Sequence, residues 1–152
     1  MKIALGADHR GYEIKEVVKQ HLLSLGYEVT DFGCFSTQSV NYVDYACKVA
    51  FAVSQGVFER GILLCNDGLG MSIVANKVPK IRCALCVNAA YAKISREHND
   101  SNILAFGQMI SPEDARAIVD AWLNTSFEGG RHIPRLQQIS RLEQDMIQCN
   151  KL

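Results

Sequence analysis

The chain has 152 residues, 48% apolar and 21% charged, which is the size and composition of a single globular domain. Sixteen basic residues balance sixteen acidic ones, so the net charge provides no field that would favour nucleic acid or an anionic membrane. No apolar run approaches the ~20 residues of a membrane span, and the first residues lack the architecture of an export signal. We therefore expect one domain over residues 1–152, a cytoplasmic location, no nucleic-acid partner and no membrane partner.

Short apolar runs alternate with longer amphipathic ones, which is typical of β-α-β units around a parallel sheet. In chain order the predicted elements are strand Ile3–Gly6, helix Gly11–Leu25, strand Glu28–Phe32, helix Tyr45–Gln55, strand Arg60–Cys65, helix Met71–Lys77, strand Arg82–Val87, helix Ala89–Glu97, strand Ile103–Gly107, helix Pro112–Asn124, and a last helix over about 132–146 with a tail to residue 152. The pattern predicts an α/β fold, a doubly wound domain with helices on both faces of a five-stranded parallel sheet.

The six cysteines, at positions 34, 47, 65, 83, 86 and 149, are expected to be free thiols, because the chain is longer than a disulfide-stapled secreted domain and has no export signal. Cys83 and Cys86 form a C-x-x-C, but they lie in an apolar run, and no second Cys or His pair stands at zinc-ligand spacing. Buried strand thiols are the favoured interpretation, and no metal site is expected.

Polar residues cluster after several predicted elements, and ligands of such sheets collect at the carboxyl ends of the strands. The clusters are Ala7–Gly11, Cys65–Ser72, Arg96–Asp100 and Glu128–Arg135. The second contains two glycines between a strand and a helix, where backbone amides can turn toward an anion. A tight turn that simply requires glycine explains the same pattern. The loop lacks the lysine of a Walker motif, so a nucleotide-binding α/β protein is only a weak alternative.

Several residues in these clusters could carry chemistry, and each has a plainer explanation. Cys65 precedes a helix start, where a thiolate is favoured, although a single cysteine is more often buried packing. Asp8 with His9, and His98 with Asn99, could handle protons, although a lone histidine is more often structural.

Two arginines, Arg131 and Arg135, lie four residues apart and could grip a phosphate with their forked donors. Alternatively, the two arginines are simply solvated at the protein surface and bind no phosphate. His21 falls on the apolar stripe of the first helix and is interpreted as packing or satisfied polar burial.

Seven segments spread over nearly the whole chain, taken together, are highly specific: M-K-I-A-L-G-A-D-H-R-G-Y-E-I-K, G-Y-E-V-T-D-F-G, N-Y-V-D-Y-A, R-G-I-L-L-C, G-L-G-M-S-I-V-A-N-K-V-P-K-I-R, R-E-H-N-D-S-N-I-L-A-F-G and F-E-G-G-R-H-I-P-R-L. In these segments the chain resembles the ribose-5-phosphate isomerase B family and its galactose-6-phosphate isomerase relatives. The resemblance implies a Rossmann-like three-layer α/β/α sandwich that interconverts an aldose phosphate and its ketose with no cofactor and no metal. It also implies a homodimer, or a tetramer, whose active sites are shared between subunits.

The resemblance also implies roles for individual residues. Cys65 would move a proton between C1 and C2 of the sugar through a cis-enediolate, while the loop amides hold the developing oxyanion. The amides are those of residues 66 to 70, which include Asn66, Gly68, Leu69 and Gly70. The other implied residues are Asp8 and His98 for ring opening, Tyr42 and Asn99 for the sugar, and His9, Arg131 and Arg135 for phosphate.

The loop departs from the family's usual C-G-T-G, since it reads Cys65-Asn66-Asp67-Gly68. A carboxylate about 4 Å from the reacting groups, at an effective dielectric of ~20, would oppose a thiolate and an enediolate by ~4 kcal/mol. Asp67 must therefore be protonated, be neutralised by a cation such as Arg10 or a phosphate-site arginine, point away, or carry protons itself, and it joins the catalytic candidates.

Three further positions differ from common family residues. Met71 stands where some members use a glutamate base, which makes this chain the cysteine type. Met109 replaces an arginine that reaches the partner's phosphate site, and this would weaken the phosphate clamp. Ala89 replaces a common acidic residue, which nothing in the sequence explains.

The leading hypothesis is an aldose–ketose isomerase, with ribose 5-phosphate and ribulose 5-phosphate as the default pair. Because the loop lacks the threonine that assists ring opening, a tetrose or hexose phosphate is the main alternative. The second alternative is a non-catalytic subunit that binds a sugar phosphate. It is disfavoured because a site without activity has no need of Cys65, His98 and Asp8 together.

Overall fold

The sheet of the computed structural model, which describes residues 1–149, has five strands. They are β1 Lys2–Ala7, β2 Glu28–Asp31, β3 Arg60–Cys65, β4 Cys83–Leu85 and β5 Ile103–Gly107. The helices are α1 Tyr12–Ser24, α2 Tyr42–Ser54, α3 Leu69–Ala75, α4 Ala89–Asn99, α5 Pro112–Leu123 and α6 Ile133–Cys149, with a 3-10 turn at Gly130–His132. All strand pairs are parallel, and the order across the sheet is β2-β1-β3-β5-β4.

Side chains that alternate along the strands build two cores, one on each face of the sheet. Helices α1, α4 and α5 cover one face, where the fully buried Trp122 is the largest side chain. Helices α2 and α3 cover the other face, with Val49 and Met71 at its centre. The predicted Rossmann-like three-layer arrangement is confirmed.

Three predicted helices differ from the structure by two or three residues at a boundary, and a polar cap explains the first of these differences. Helix α2 begins at Tyr42 rather than Tyr45, because the Asn41 side chain accepts a hydrogen bond from the Val43 amide and caps the first turn. Helix α3 begins at Leu69, directly after Gly68 in the left-handed conformation. Helix α4 continues past Glu97 to Asn99, so it carries His98 in its last turn.

The last helix differs most from its prediction. It runs from Ile133 to Cys149, after the 3-10 turn, and residues 150–152 of the predicted tail lie outside the described residues. None of its described residues is buried. Its apolar side chains face a groove beside the edge strand β4, lined also by Ile81 and Cys83. Within residues 1–149, no helix is long and apolar enough to cross a membrane.

The direction of the chain separates the polar clusters onto two edges of the sheet. All strands end at the same edge, called here the carboxyl edge, which holds Asp8 and Cys65. Helix α4 follows β4 and runs back, so its last turn lies at the opposite, amino edge. The Arg82 guanidinium, just before β4, donates to the Asn99 carbonyl, and the Gly61 amide at the start of β3 donates to Asn102.

Candidate active site

Asp8 and Cys65 lie side by side at the carboxyl edge, where the strand order reverses between β1 and β3. The Asp8 amide donates to the Leu64 carbonyl at 3.2 Å. The buried Asp8 carboxylate accepts from the amides of Arg10 and Gly11, both at 2.9 Å. Parallel sheets bind ligands at such a reversal, and this one carries a fixed carboxylate and a thiol.

The Cys65 thiol is 5% exposed and is surrounded by backbone amides. The Gly68 amide donates to the sulfur at 3.1 Å, and the sulfur lies 3.8 Å from Oδ1 of Asp67. Burial raises the pKa of Cys65, the amides of Asp67, Gly68 and Met71 oppose the rise, and the Asp8 charge adds to it. Since the raised pKa prevails, the resting group is a thiol whose deprotonation the loop assists.

Alkylation of Cys65 by iodoacetamide should be slow at neutral pH and accelerate as the pH passes the ~8.5 of an ordinary cysteine. The reason is that only the thiolate reacts, and the raised pKa keeps the thiolate scarce until higher pH. Mass mapping of labelled peptides measures this, with the exposed Cys149 as an internal comparison. Labelling of Cys65 as fast as Cys149 at pH 7 would contradict the assigned pKa direction.

The Asp67 side chain is exposed, and it binds the start of helix α3. Its Oδ1 accepts from the Leu69 amide at 2.9 Å. The carboxylate therefore does not point away from Cys65, and the amide at the helix start compensates its charge. At an exposed position, where the dielectric is close to that of water, repulsion across 4 Å is ~1 kcal/mol rather than ~4.

The two loop glycines are required by close packing. Gly68 has φ of 84°, and a Cβ there would come within 2.5 Å of Leu85 Cδ1. A Cβ on Gly70 would come within 2.8 Å of the Tyr42 ring, which therefore lies against the loop. The tight-turn explanation thus fits Gly68, whereas Gly70 lies inside helix α3 and is explained by its contact with Tyr42. The amides of Gly68 and Leu69 already donate to Cys65 and Asp67.

His9 and Gln108 complete the polar groups of the carboxyl edge. The Val40 amide donates to Nδ1 of His9 at 3.2 Å, which leaves Nε2 to carry the hydrogen in neutral imidazole. Both residues line a cavity of about 380 Å³. Nε2 of Gln108 donates to Oδ1 of Asn66 at 2.9 Å. Sequence reasoning missed Gln108, although its place directly after β5 was a usable signal.

The other predicted site residues lie at the amino edge. His98 and Asn99 occupy the last turn of α4, while Arg131 lies in the 3-10 turn and Arg135 in the first turn of α6, both exposed. Strands of five or six residues span ~17–20 Å. One chain therefore brings together Asp8, His9, Tyr42, Cys65 and the loop 66–70, and it keeps His98, Asn99, Arg131 and Arg135 apart from them.

The end of α4 is rigidly held, which fixes His98 in space. Asp100 caps the helix with φ of 45°, and its carboxylate pairs with Arg96 at 2.6 Å and with Arg82 at 3.0 Å. The buried Arg96 also donates to the Ser101 carbonyl at 2.7 Å. The guanidinium groups of Arg96 and Arg82, and the oxygens of Asp100 and Ser101 that accept from them, therefore hold the last turn of α4 in place.

One group within residues 1–149 could supply metal ligands: His98, Glu128 and His132 offer atoms within 4.8 Å of one another. The two imidazole rings are stacked, with centroids 4.4 Å apart and planes inclined by 15°. A metal lies in the plane of each ligating ring, and one ion cannot lie in two nearly parallel planes. The stacked geometry therefore opposes metal ligation by both rings.

The fold and the carboxyl edge define a Rossmann-like α/β protein with polar loops at the switch point where this class binds small ligands. A family model described as Ribose/Galactose Isomerase matches residues 3–139. Ribose-5-phosphate isomerase B of Escherichia coli is 46% identical over 144 residues, covering 94% of this chain and 97% of that relative. The chain belongs to the ribose/galactose isomerase family and is a sugar phosphate isomerase of the ribose-5-phosphate isomerase B type.

Two further relatives show the range of the likeness. The solved structure of Clostridium thermocellum ribose-5-phosphate isomerase B has a TM-score of 0.94 and 49% identity, covering 96% of this chain and 99% of that one. D-erythrulose-4-phosphate isomerase of Pectobacterium atrosepticum is 39% identical over 145 residues, covering 94% of this chain and 95% of the relative.

Proposed function

We propose that the chain interconverts ribose 5-phosphate and ribulose 5-phosphate. The observation that carries the proposal is the Cys65 sulfur, held by backbone amides beside the buried Asp8 at the switch point. A sulfur in that environment can take a proton from carbon, because the amides stabilise the thiolate and the switch point is where such sheets bind small ligands. Two of the relatives described above carry the corresponding name.

In the proposed reaction the thiolate form of Cys65, whose own proton has first been lost to solvent, takes the C2 proton of the open-chain aldose and then returns it to C1. The hydroxyl proton on O2 moves to O1, so that atoms and charge balance. The enediolate between these steps is stabilised by those amides of residues 66 to 70 that do not already donate to Cys65 or Asp67. Asp67 is 3.8 Å from the sulfur and exposed, so it is a candidate to carry the proton between the oxygens.

The remaining roles follow from the family assignment. Asp8 and His98 open the sugar ring, and Tyr42 and Asn99 contact the sugar. The phosphate is bound by His9, Arg131 and Arg135. None of these roles requires a metal or an organic cofactor.

We propose a homodimer in which the amino edge of one chain completes the carboxyl edge of the other. The support is the separation of the two groups in a single chain, since one sugar phosphate cannot span a strand's length. Several exposed apolar side chains are available for contact with a second copy: Leu69, Ile73, Tyr91, Ile94, Leu142 and Met146. Met109, 83% exposed after β5, lies where the family's arginine would reach the partner.

A panel of purified sugar phosphates tests the proposed substrate. Ribose 5-phosphate should give ribulose 5-phosphate, measured by ketose formation. No pentose turnover, with a four- or six-carbon phosphate converted instead, would transfer the assignment to that sugar. Protection against melting by sugar phosphates without any turnover would identify a non-catalytic binding subunit.

A tetrose phosphate is the second candidate, and Asp67 favours it. An aldotetrose phosphorylated on O4 cannot close a five-membered ring, so it needs no ring-opening hydroxyl at this position. The erythrulose-4-phosphate isomerase relative shows that the family includes such a substrate.

Asp67→Thr should raise kcat/KM for ribose 5-phosphate by about three- to tenfold, since ~1 kcal/mol of repulsion toward the thiolate disappears and a hydroxyl is supplied. Asp67→Asn is the matched control, because it removes the charge and keeps the cap on Leu69. A fall in kcat for both variants would show that the carboxylate has become part of the mechanism.

A further inference from the structure

The Glu128 carboxylate lies beside two stacked imidazole rings at the amino edge. Its Oε2 is 3.7 Å from Nε2 of His98 and 3.3 Å from Nε2 of His132. The His132 side chain is almost fully buried and stacks on the His98 ring at 4.4 Å. The Glu128 carboxylate is therefore close to both stacked rings, and one of them, the His98 ring, has a proposed role in ring opening.

Backbone hydrogen bonds hold this group in place. The Glu128 amide donates to the Glu97 carbonyl at 3.0 Å, which ties the loop to the residue before His98. The His132 amide donates to the Gly129 carbonyl at 3.0 Å. The first bond ties Glu128 to helix α4 next to His98, and the second closes the turn that carries His132.

His132 has a second neighbour that competes with Glu128. Nε of Arg131 donates to Nε2 of His132 at 3.4 Å, which needs a lone pair on that nitrogen. Glu128 favours a hydrogen on the same atom. If Arg131 binds phosphate as proposed above, its guanidinium would leave Nε2 of His132 to Glu128. The Glu97 carboxylate is occupied elsewhere, by Lys93 at 3.5 Å.

We propose that Glu128 and His132 are positioning residues for His98. Stacking on the buried ring fixes the plane of the His98 imidazole. The Glu128 charge, 3.7 Å from Nε2 of His98 and acting without a direct hydrogen bond, favours the tautomer with hydrogen on Nε2, so that Nδ1 presents its lone pair for proton transfer during ring opening. This inference rests on the proposed function, because it assumes a substrate that cyclises.

Glu128→Gln tests the inference with two measurements on one enzyme. Conversion of ribose 5-phosphate requires ring opening. Exchange of a C1 hydrogen of ribulose 5-phosphate in D2O does not, since the phosphate on O5 keeps that ketose open. We expect kcat for ribose 5-phosphate to fall by about 10- to 100-fold, a range typical of residues that orient a ligating or catalytic imidazole, and the exchange rate to stay within about twofold.

Glu97→Gln is the matched control, because it removes the neighbouring carboxylate without touching the His98 ring, and it should leave both rates unchanged. His132→Phe keeps an aromatic ring on His98 and removes the nitrogens, so it should show the same selective loss in smaller measure. The exposed position of Glu128 makes misfolding of Glu128→Gln a minor concern, and melting of each variant checks it.

Equal loss of conversion and exchange in Glu128→Gln, or no loss in either, would overturn the positioning role. Saturable stabilisation by Zn²⁺ alone that disappears in Glu128→Gln would overturn it in favour of a metal site. If the wild-type protein neither converts nor exchanges any sugar phosphate, the proposed function itself fails. The two failures are therefore distinguishable.

Discussion

Cys65→Ala is expected to lower isomerisation by about 10²- to 10⁴-fold, the range that one positioned acid–base group contributes. The same variant should abolish deuterium incorporation at C1 of ribulose 5-phosphate. Stabilisation against melting by sugar phosphate should remain, because Cys65 is not one of the proposed phosphate ligands. NMR of the ketose in D2O and a melting curve with and without ligand measure the two effects.

Cys86→Ala is the matched control for loss of a buried thiol, since Cys86 is buried in the other core, which lies beneath α1, α4 and α5. It should leave both the exchange rate and the turnover close to wild type. Deuterium incorporation that persists in Cys65→Ala would place the base on another group. Asp67, whose Oδ1 is 3.8 Å from the sulfur, would be the first to examine.

Mixing two inactive variants, Cys65→Ala and His98→Asn, should restore activity. In a shared-site homodimer, the mixed dimer has one site that combines an intact Cys65 with an intact His98. At equal amounts half of the dimers are mixed, and half of their sites work, so about a quarter of wild-type activity is expected. Co-refolding followed by an assay of ketose formation measures it.

Cys65→Ala mixed with Asp8→Asn is the control, because both changes damage the carboxyl edge. Each site of that mixed dimer then keeps one defect, and activity should stay at the level of the separate variants. Restoration in this control, or none with His98→Asn, would refute the shared site. A monomer by light scattering would refute it directly.

Much of the carboxyl-edge group could be predicted because it depends on neighbours in sequence. The Gly68 amide reaches the Cys65 sulfur, and the Leu69 amide reaches Asp67, across two or three residues each. Turns of this kind are specified by glycine and by short polar side chains. The loop and its position after β3 could therefore be predicted from the sequence. The hydrogen bonds that its amides already make to Cys65 and Asp67 could not.

Contacts between distant segments escaped prediction. The Tyr42 ring lies against Gly70, and Gln108 binds Asn66 across 42 residues of chain. The Glu128 contact with His98 bridges thirty residues and depends on a backbone bond to Glu97. No periodicity or cap encodes such contacts, because they result from how separate elements pack.

The sequence alone determined the alternation of strands and helices, the parallel sheet, the glycine turn behind Cys65 and the family, because each depends on local pattern or on motifs read in order. The tertiary structure decided that His98 and Cys65 face opposite edges, since α4 runs back across the sheet before its last turn. It also decided that His132 is buried against His98. The physical reason is that side-chain burial and distance across a sheet depend on the direction and packing of whole elements.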